Sequence, residues 1–388
     1  MPDARLTLPA IRDALPALAD STYLNTGGAG PLPVTAARAV ERAVADALTA
    51  GRGSLAAYEA MTARHDRLRA ALAGILNAVP DEIALAGSST HALNMALWGI
   101  DWRDGDEVIT TNLEHPGLLA PLQVIARRRG VTIRTLDVGT GDEDLEGAVA
   151  RAATPRTRAV ALSHVTWSTG AVLDVAGAAR AARDIGAFVI VDGAQGIGAI
   201  PTDPRALGAD AYAIPAHKWL LGPDGLGALW VRADAVPRID LTYAGIASGT
   251  DHAADGAFLP HPAARRLETS THPEMLVPGW IASLHWLRDL GWDWIHQRIR
   301  AGAADARRRL AAIPGVDILT PPGHGSGLLS FTIAGADPVV ADARLVENGI
   351  VGRWIPHPYC LRVSIGFYAD AADLDRMADG VALIASRR

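Results

Sequence analysis

The chain has 388 residues, 49% of them hydrophobic, and a formal charge of −6 with no long run of either sign. That length exceeds what one core usually organises, so two domains are expected. Without a Lys/Arg-rich stretch, nucleic acid is not an expected partner. A single cysteine, Cys360, excludes an intramolecular disulfide and a cysteine-built zinc cluster, and no metal site is expected. No window approaches the ~20 apolar residues of a membrane span, and Met1–Asp20 lacks the pattern of a secretory signal. A cytoplasmic protein without membrane contact is the expectation.

In chain order, residues 1–30 read as an N-terminal arm. Pro33 opens a helix over Val34–Leu48, a place where its missing N–H costs nothing. From Asp81 to Val231 short apolar runs alternate with amphipathic stretches. The strand candidates are Ile83–Ala86, Glu107–Thr110, Val131–Leu136, Arg158–Ser163, Ala187–Val191, Ala209–Ile214 and Gly225–Val231. Leu118–Arg129 and Val175–Ile185 carry apolar positions at helical spacing between them. This alternation predicts an α/β domain over 31–274, built on a mostly parallel seven-stranded sheet between helices. Gly245–Pro262, rich in Gly, Ala, Asp and Pro, reads as a loop. Beyond residue 275, a long Trp-rich amphipathic stretch (Trp280–Ala312) precedes strand-like Leu328–Ile333 and Cys360–Ile365. With helices near Val339–Asn348 and from Ala371, these make a smaller α+β domain over 275–388.

The chemistry concentrates between Asp192 and Lys218. Val189-Ile190-Val191 delivers Asp192 at the carboxyl end of a strand, and Ala209–Ile214 ends just ahead of Ala216-His217-Lys218-Trp219. Ligands of such sheets bind outside the carboxyl ends of the strands. A carboxylate and an amine facing one cavity there match the needs of pyridoxal 5'-phosphate (PLP). The carboxylate keeps the pyridine nitrogen protonated, and the amine forms the Schiff base.

Asp192-Gly-Ala-Gln195, and His217-Lys218-Trp219 followed by Gly222-Pro-Asp-Gly-Leu-Gly227, resemble the class V aminotransferase family of PLP-dependent enzymes, of fold type I. The likeness runs over nearly the whole chain. It takes in Tyr23-Leu-Asn-Thr-Gly-Gly-Ala-Gly-Pro-Leu-Pro33, Glu114-His115-Pro-Gly117 and Leu361-Arg362-Val-Ser364. The resemblance implies that Lys218 holds the cofactor and moves the substrate's α-proton. It pairs Asp192 with the ring nitrogen, brings Gln195 to the ring hydroxyl and stacks His115 on the ring face. Ser89 and Thr90, at the start of a helix-like segment, would bind the phosphate, as a helix N-terminus independently favours. His217 is a further phosphate candidate. Thr271 would be lent across the interface of a homodimer. Arg362 would clamp the carboxylate of a small amino-acid substrate, with Trp167, Asn25 and Gly27 beside it.

Three departures bear on the activity. Pro215 stands where relatives often carry a hydroxyl or amide phosphate ligand, and it offers neither. Trp167 stands where desulfurases usually place an Asn. No mobile loop carries a cysteine; Cys360 lies in an apolar strand pattern and reads as a buried small hydrophobe, which disfavours persulfide chemistry. Trp219, Arg353, Trp354, His357 and Tyr359 are further candidates for the pocket wall. The likeness is strongest to the cysteine/cystine C–S lyases, so the expected reaction is β-elimination from cysteine, cystine or an S-substituted cysteine. An epimerase or aminotransferase on the same scaffold is the alternative, and a desulfurase or a non-catalytic scaffold stands further back.

Overall fold

The computed structural model describes residues 7–256 and 258–386. Its larger sheet has seven strands: β1 (Ile83–Ala86), β2 (Glu107–Thr111), β3 (Thr132–Leu136), β4 (Thr157–Ser163), β5 (Phe188–Asp192), β6 (Ala211–Pro215) and β7 (Gly227–Val231). They lie in the order β1-β7-β6-β5-β4-β2-β3, and β7 alone runs antiparallel to its neighbours. The residues of β1, β2, β5, β6 and β7 are all buried, the pattern of a sheet covered on both faces. Two apolar clusters, one on each side of this sheet, supply the cover. The expected α/β body on a mostly parallel seven-stranded sheet is what the chain adopts.

Four helices are needed to place the site. Helix α1 (Val34–Ala50) and α2 (Leu55–Ile75) lie ahead of the sheet, α3 (Ser89–Trp98) follows β1, and α4 (Pro116–Arg129) follows β2. Nothing in the sequence reading marked α2. Its buried positions, Leu68, Leu72 and Ala73, fall only in its second half, and the first half is largely exposed. Trp280–Ala312, read as one stretch, is two helices, α5 (Val277–Leu290) and α6 (Trp292–Ala311). Gly291 separates them with φ 92°, a conformation that costs glycine little. Helix α5 packs on α1 and α2, and its Val277, Trp280 and Leu284 join the core beneath the large sheet. The expected boundary near 275 therefore falls ahead of a helix whose buried face belongs to the larger body.

The smaller sheet is antiparallel. Its strands are β8 (Val316–Ile318), β9 (Leu328–Ile333), β10 (Arg353–Ile355) and β11 (Cys360–Ser364), in the order β8-β9-β11-β10. The N-terminal arm joins this body: Thr22–Tyr23 pairs in parallel with Ile350–Val351, and Ser364 N–H donates to the Leu24 carbonyl at 2.6 Å. Gly245–Pro262 is not simply a loop. It contains a two-stranded hairpin, Gly249–His252 with Phe258–Pro260, whose apolar Leu259 is exposed. With no buried face, the segment lacks the alternation that identifies a strand. No helix among the described residues is long and apolar enough to cross a membrane.

Strand β1 is an edge, and one of its free amides is covered from the side. The Glu268 carboxylate accepts the Leu85 N–H at 2.8 Å and a bidentate pair of bonds from Arg69, with both side chains buried. His272 reaches the same carboxylate at 3.2 Å. Removing one partner of a buried ion pair strands the other charge. The substitution Glu268→Ala is therefore expected to cost about 3–5 kcal/mol in urea-induced unfolding. A loss below ~1 kcal/mol, typical of an exposed pair, would contradict this account of the edge.

Candidate active site

The carboxyl ends of the parallel strands open on one cavity of about 220 Å³. Ser88, Ser89 and Thr90 follow β1, His115 follows β2, and Ser163 ends β4. Asp192 ends β5 and Lys218 follows β6. Gly27 and Gly28 enter from the N-terminal arm, and Arg353 and Arg362 from β10 and β11. Neither domain makes this wall alone.

Lys218 and Asp192 share the cavity, as the two strand ends require. Burial lowers the Lys218 amine to about 8, against the pull of the Asp192 carboxylate. Burial likewise raises Asp192, while Lys218 and a hydrogen bond from the Ala194 N–H (2.9 Å) hold it toward the charged form. The backbone at Lys218 is braced by the arm: Gly30 N–H donates to the His217 carbonyl at 2.7 Å. A Cβ at position 30 would sit 2.3 Å from the Lys218 carbonyl oxygen. Only glycine fits there.

Arg362 is 1% exposed, and its Nη1 donates to the Trp167 carbonyl at 2.5 Å. Its Nε and Nη2 have no partner, and burial lowers the guanidinium to about 9. A buried cation with two idle donors at the wall of a cavity is matched to an incoming anion. Arg353 stands directly across the ladder from Arg362 in the β10–β11 register. It lies 5.9 Å over the Trp167 ring, with no carboxylate in ion-pair range among the described residues. Two cations thus face one space.

At the opposite end, Ser88 caps α3, its hydroxyl accepting the His91 N–H at 3.0 Å. That leaves the first-turn amides of Ser89 and Thr90 as donors for an anion. His217 also lines this space, its ring lowered by burial and by Lys218. His115 caps α4, accepting the Gly117 N–H at 2.9 Å through Nδ1, and burial with the neighbouring cations lowers it to about 4. It is therefore neutral at physiological pH and meets Trp167 edge-on at 4.8 Å. Pro215 ends β6 without offering a donor, which leaves anion binding to the α3 end and His217.

Other expected residues fall elsewhere. Asn25 does not line the cavity, although its buried Oδ1 lacks a partner. Thr271 is exposed, outside the cavity of its own chain, and has φ 56°, strained for a β-branched residue. Of the further wall candidates only Arg353 lines the cavity; Trp219 is buried behind it, and Trp354, His357 and Tyr359 lie outside. Cys360 is fully buried against Trp167 and Ile355, with its thiol pushed up to about 11 by burial. Glu114, quoted from its motif without a role, is a buried carboxyl bonded to Ser163 Oγ (2.5 Å) and Thr111 Oγ1 (2.6 Å). Burial raises it to about 7. Thr111 lies three residues ahead of it at the end of β2, but Ser163 comes from β4, 49 positions away, and no local pattern links it to Glu114.

Comparison with known proteins agrees with this geometry. The Aminotransferase class-V family model matches residues 22–377. A probable cysteine desulfurase of Methanothermobacter thermautotrophicus is 30% identical over 84% of this chain and 82% of its own. The isopenicillin N epimerase of Streptomyces clavuligerus is 30% identical over 92% and 93%. The protein C-DES superposes in two solved structures. One is a lysine-to-alanine mutant with glycine covalently linked to the PLP cofactor (TM-score 0.91, 32% identity, 96% and 98% of the two chains). The other is described as the cystine C–S lyase in complex with its reaction product cysteine persulfide (TM-score 0.90, 33% identity, 95% and 99%). An amine and a carboxylate in one cavity, an anion cradle at a helix start and a buried unpaired guanidinium fit PLP and an amino acid together. The chain belongs to the class V aminotransferase family, as a PLP-dependent enzyme of fold type I.

Proposed function

We propose that the protein is a carbon–sulfur lyase that eliminates the sulfur substituent from Cβ of cystine or a related S-substituted cysteine. The observation that carries this reading is the pair of arginines, Arg362 and Arg353, converging on the Lys218 cavity with no carboxylate in ion-pair range of either among the described residues. Arg362 takes the α-carboxylate in a bidentate grip through its idle Nε and Nη2. Arg353 is left for a second anionic group further along the side chain. Cystine has one; cysteine does not.

PLP would be held by Lys218 at its aldehyde carbon, Asp192 at its ring nitrogen, His115 at its face, and Ser89, Thr90 and His217 at its phosphate. When bound, it supplies a sink for the electron pair released as the Cα–H bond breaks. Lys218, with its amine near 8, is a base suited to neutral pH and takes the α-proton at Nζ. The carboxylate clamp fixes the orientation of that Cα–H bond and spares the reaction a large entropic cost. Loss of the Cβ–S bond releases a sulfur anion, and hydrolysis of what remains yields pyruvate and ammonia.

Cys360 supports this reading over the desulfurase one: the chain's one thiol is sealed in β11, where it cannot carry persulfide. An amino-acid epimerase is the second reading, supported by the 30% identity to isopenicillin N epimerase over almost the full length. We also propose a homodimer in which the strained Thr271 of each subunit reaches the phosphate of the other.

Lys218→Ala should retain no covalently attached cofactor after borohydride treatment and dialysis, because no lysine is there for the reduction to fix it to, and its pyruvate release should fall at least about 10³-fold. Retained covalent cofactor and full turnover would remove Lys218 from its role. Arg353→Met should raise KM for cystine about tenfold, the loss of one charge-assisted contact, while leaving S-methylcysteine nearly unchanged. Pyruvate assays on both substrates check this. Equal losses on the two would detach Arg353 from the distal group, and absence of pyruvate with every sulfur substrate would favour the epimerase.

A further inference from the structure

Trp219 follows the lysine in sequence but does not enter the cavity; it is 3% exposed in the core behind it. Its indole Nε1–H donates to Gln195 Oε1 at 2.9 Å, and Gln195 Nε2 donates to the Gly27 carbonyl at 2.8 Å. An indole N–H is only a donor and a backbone carbonyl is only an acceptor. Rotating the Gln195 amide by half a turn would set N–H against N–H on one side and oxygen against oxygen on the other. The amide's orientation is therefore fixed by its neighbours. One hydrogen of Nε2 remains unused on a side chain that lines the cavity.

We propose that Trp219 is a positioning residue that fixes the polarity of Gln195, so that the cavity wall presents a hydrogen-bond donor to the cofactor's phenolic oxygen. The inference rests on PLP occupying the cavity as described above. With Asp192 and Lys218 at the two ends of the ring, and the phosphate at Ser89 and Thr90, the hydroxyl-bearing edge is the one away from α3. Gln195 is tied to the arm and to Trp219, away from that helix start. A donor at the phenolic oxygen draws off negative charge. The neighbouring Schiff-base nitrogen then holds its proton less tightly, and its pKa falls. An unfixed Gln195 could turn its carbonyl to the same oxygen and do the reverse.

The test is the pH titration of the visible absorbance of the lysine-bound cofactor, read without substrate. Trp219→Phe, and replacement of Trp219 by benzothienylalanine (which keeps the shape and removes only the N–H), should each raise that apparent pKa by about one unit. Gln195→Leu should raise it similarly. The double variant Trp219→Phe with Gln195→Leu should add nothing further, because the two act through one contact. Should the phenylalanine variant fail to fold, the isosteric replacement decides. A titration unmoved by loss of the indole N–H, or additive shifts in the double variant, would overturn the proposal. Failure of the wild-type protein to take up PLP would instead strike at the cofactor reading itself.

Discussion

Three charged groups, buried Asp192 and Arg362 and half-buried Lys218, surround a single cavity, and the rest of the architecture makes that arrangement tolerable. Taken alone, each would be costly to bury. Together they offset one another in part, the carboxylate and the amine each favouring the other's charged form. What they cannot satisfy internally they offer to ligands. The idle donors of Arg362 are the clearest case, since a site meant only for stability would have given them an acceptor.

Geometry makes this possible at low cost in backbone strain. Parallel strands bring successive carboxyl ends to one side, so residues distant in sequence converge without special loops. Ser163 and Asp192 are direct neighbours in the ladder, which places the Glu114–Ser163 pair immediately beside the Asp192 carboxylate. The small antiparallel sheet supplies the cationic half of the wall from β10 and β11. One body therefore supplies the amine, the carboxylate and the helix-start amides of the cavity, and the other supplies its two guanidinium groups.

The α/β architecture was legible in the sequence because strands buried on both faces leave continuous apolar runs, as Val189-Ile190-Val191 does. Asp192 was legible because it closes an apolar run and Arg362 because it interrupts one, whereas Lys218 stood out only through Asp192 and the glycine-rich motif that follows it. Other features were hidden by their dependence on long-range contacts. Half of α2 has no buried face and so no periodicity to detect. Glu114 gains its character from burial beside Ser163, 49 positions away on β4. Trp219 looked like a pocket residue beside Lys218, and only packing turns it away toward Gln195. The exposed hairpin within 245–262 has no core to impose a pattern.

The arm tying the beginning of the chain to its end has a consequence for biogenesis. Thr26 and Ser364, linked by a hydrogen bond, are 338 positions apart, and the adjoining Gly27 lies beside Arg362 in the wall. Until β11 has left the ribosome, residues 22–26 lack their sheet partners and the wall has a missing side. Contacts of such long range close late. Enzymatic competence should therefore arrive abruptly, once β11 has emerged, and not accumulate as the polypeptide grows.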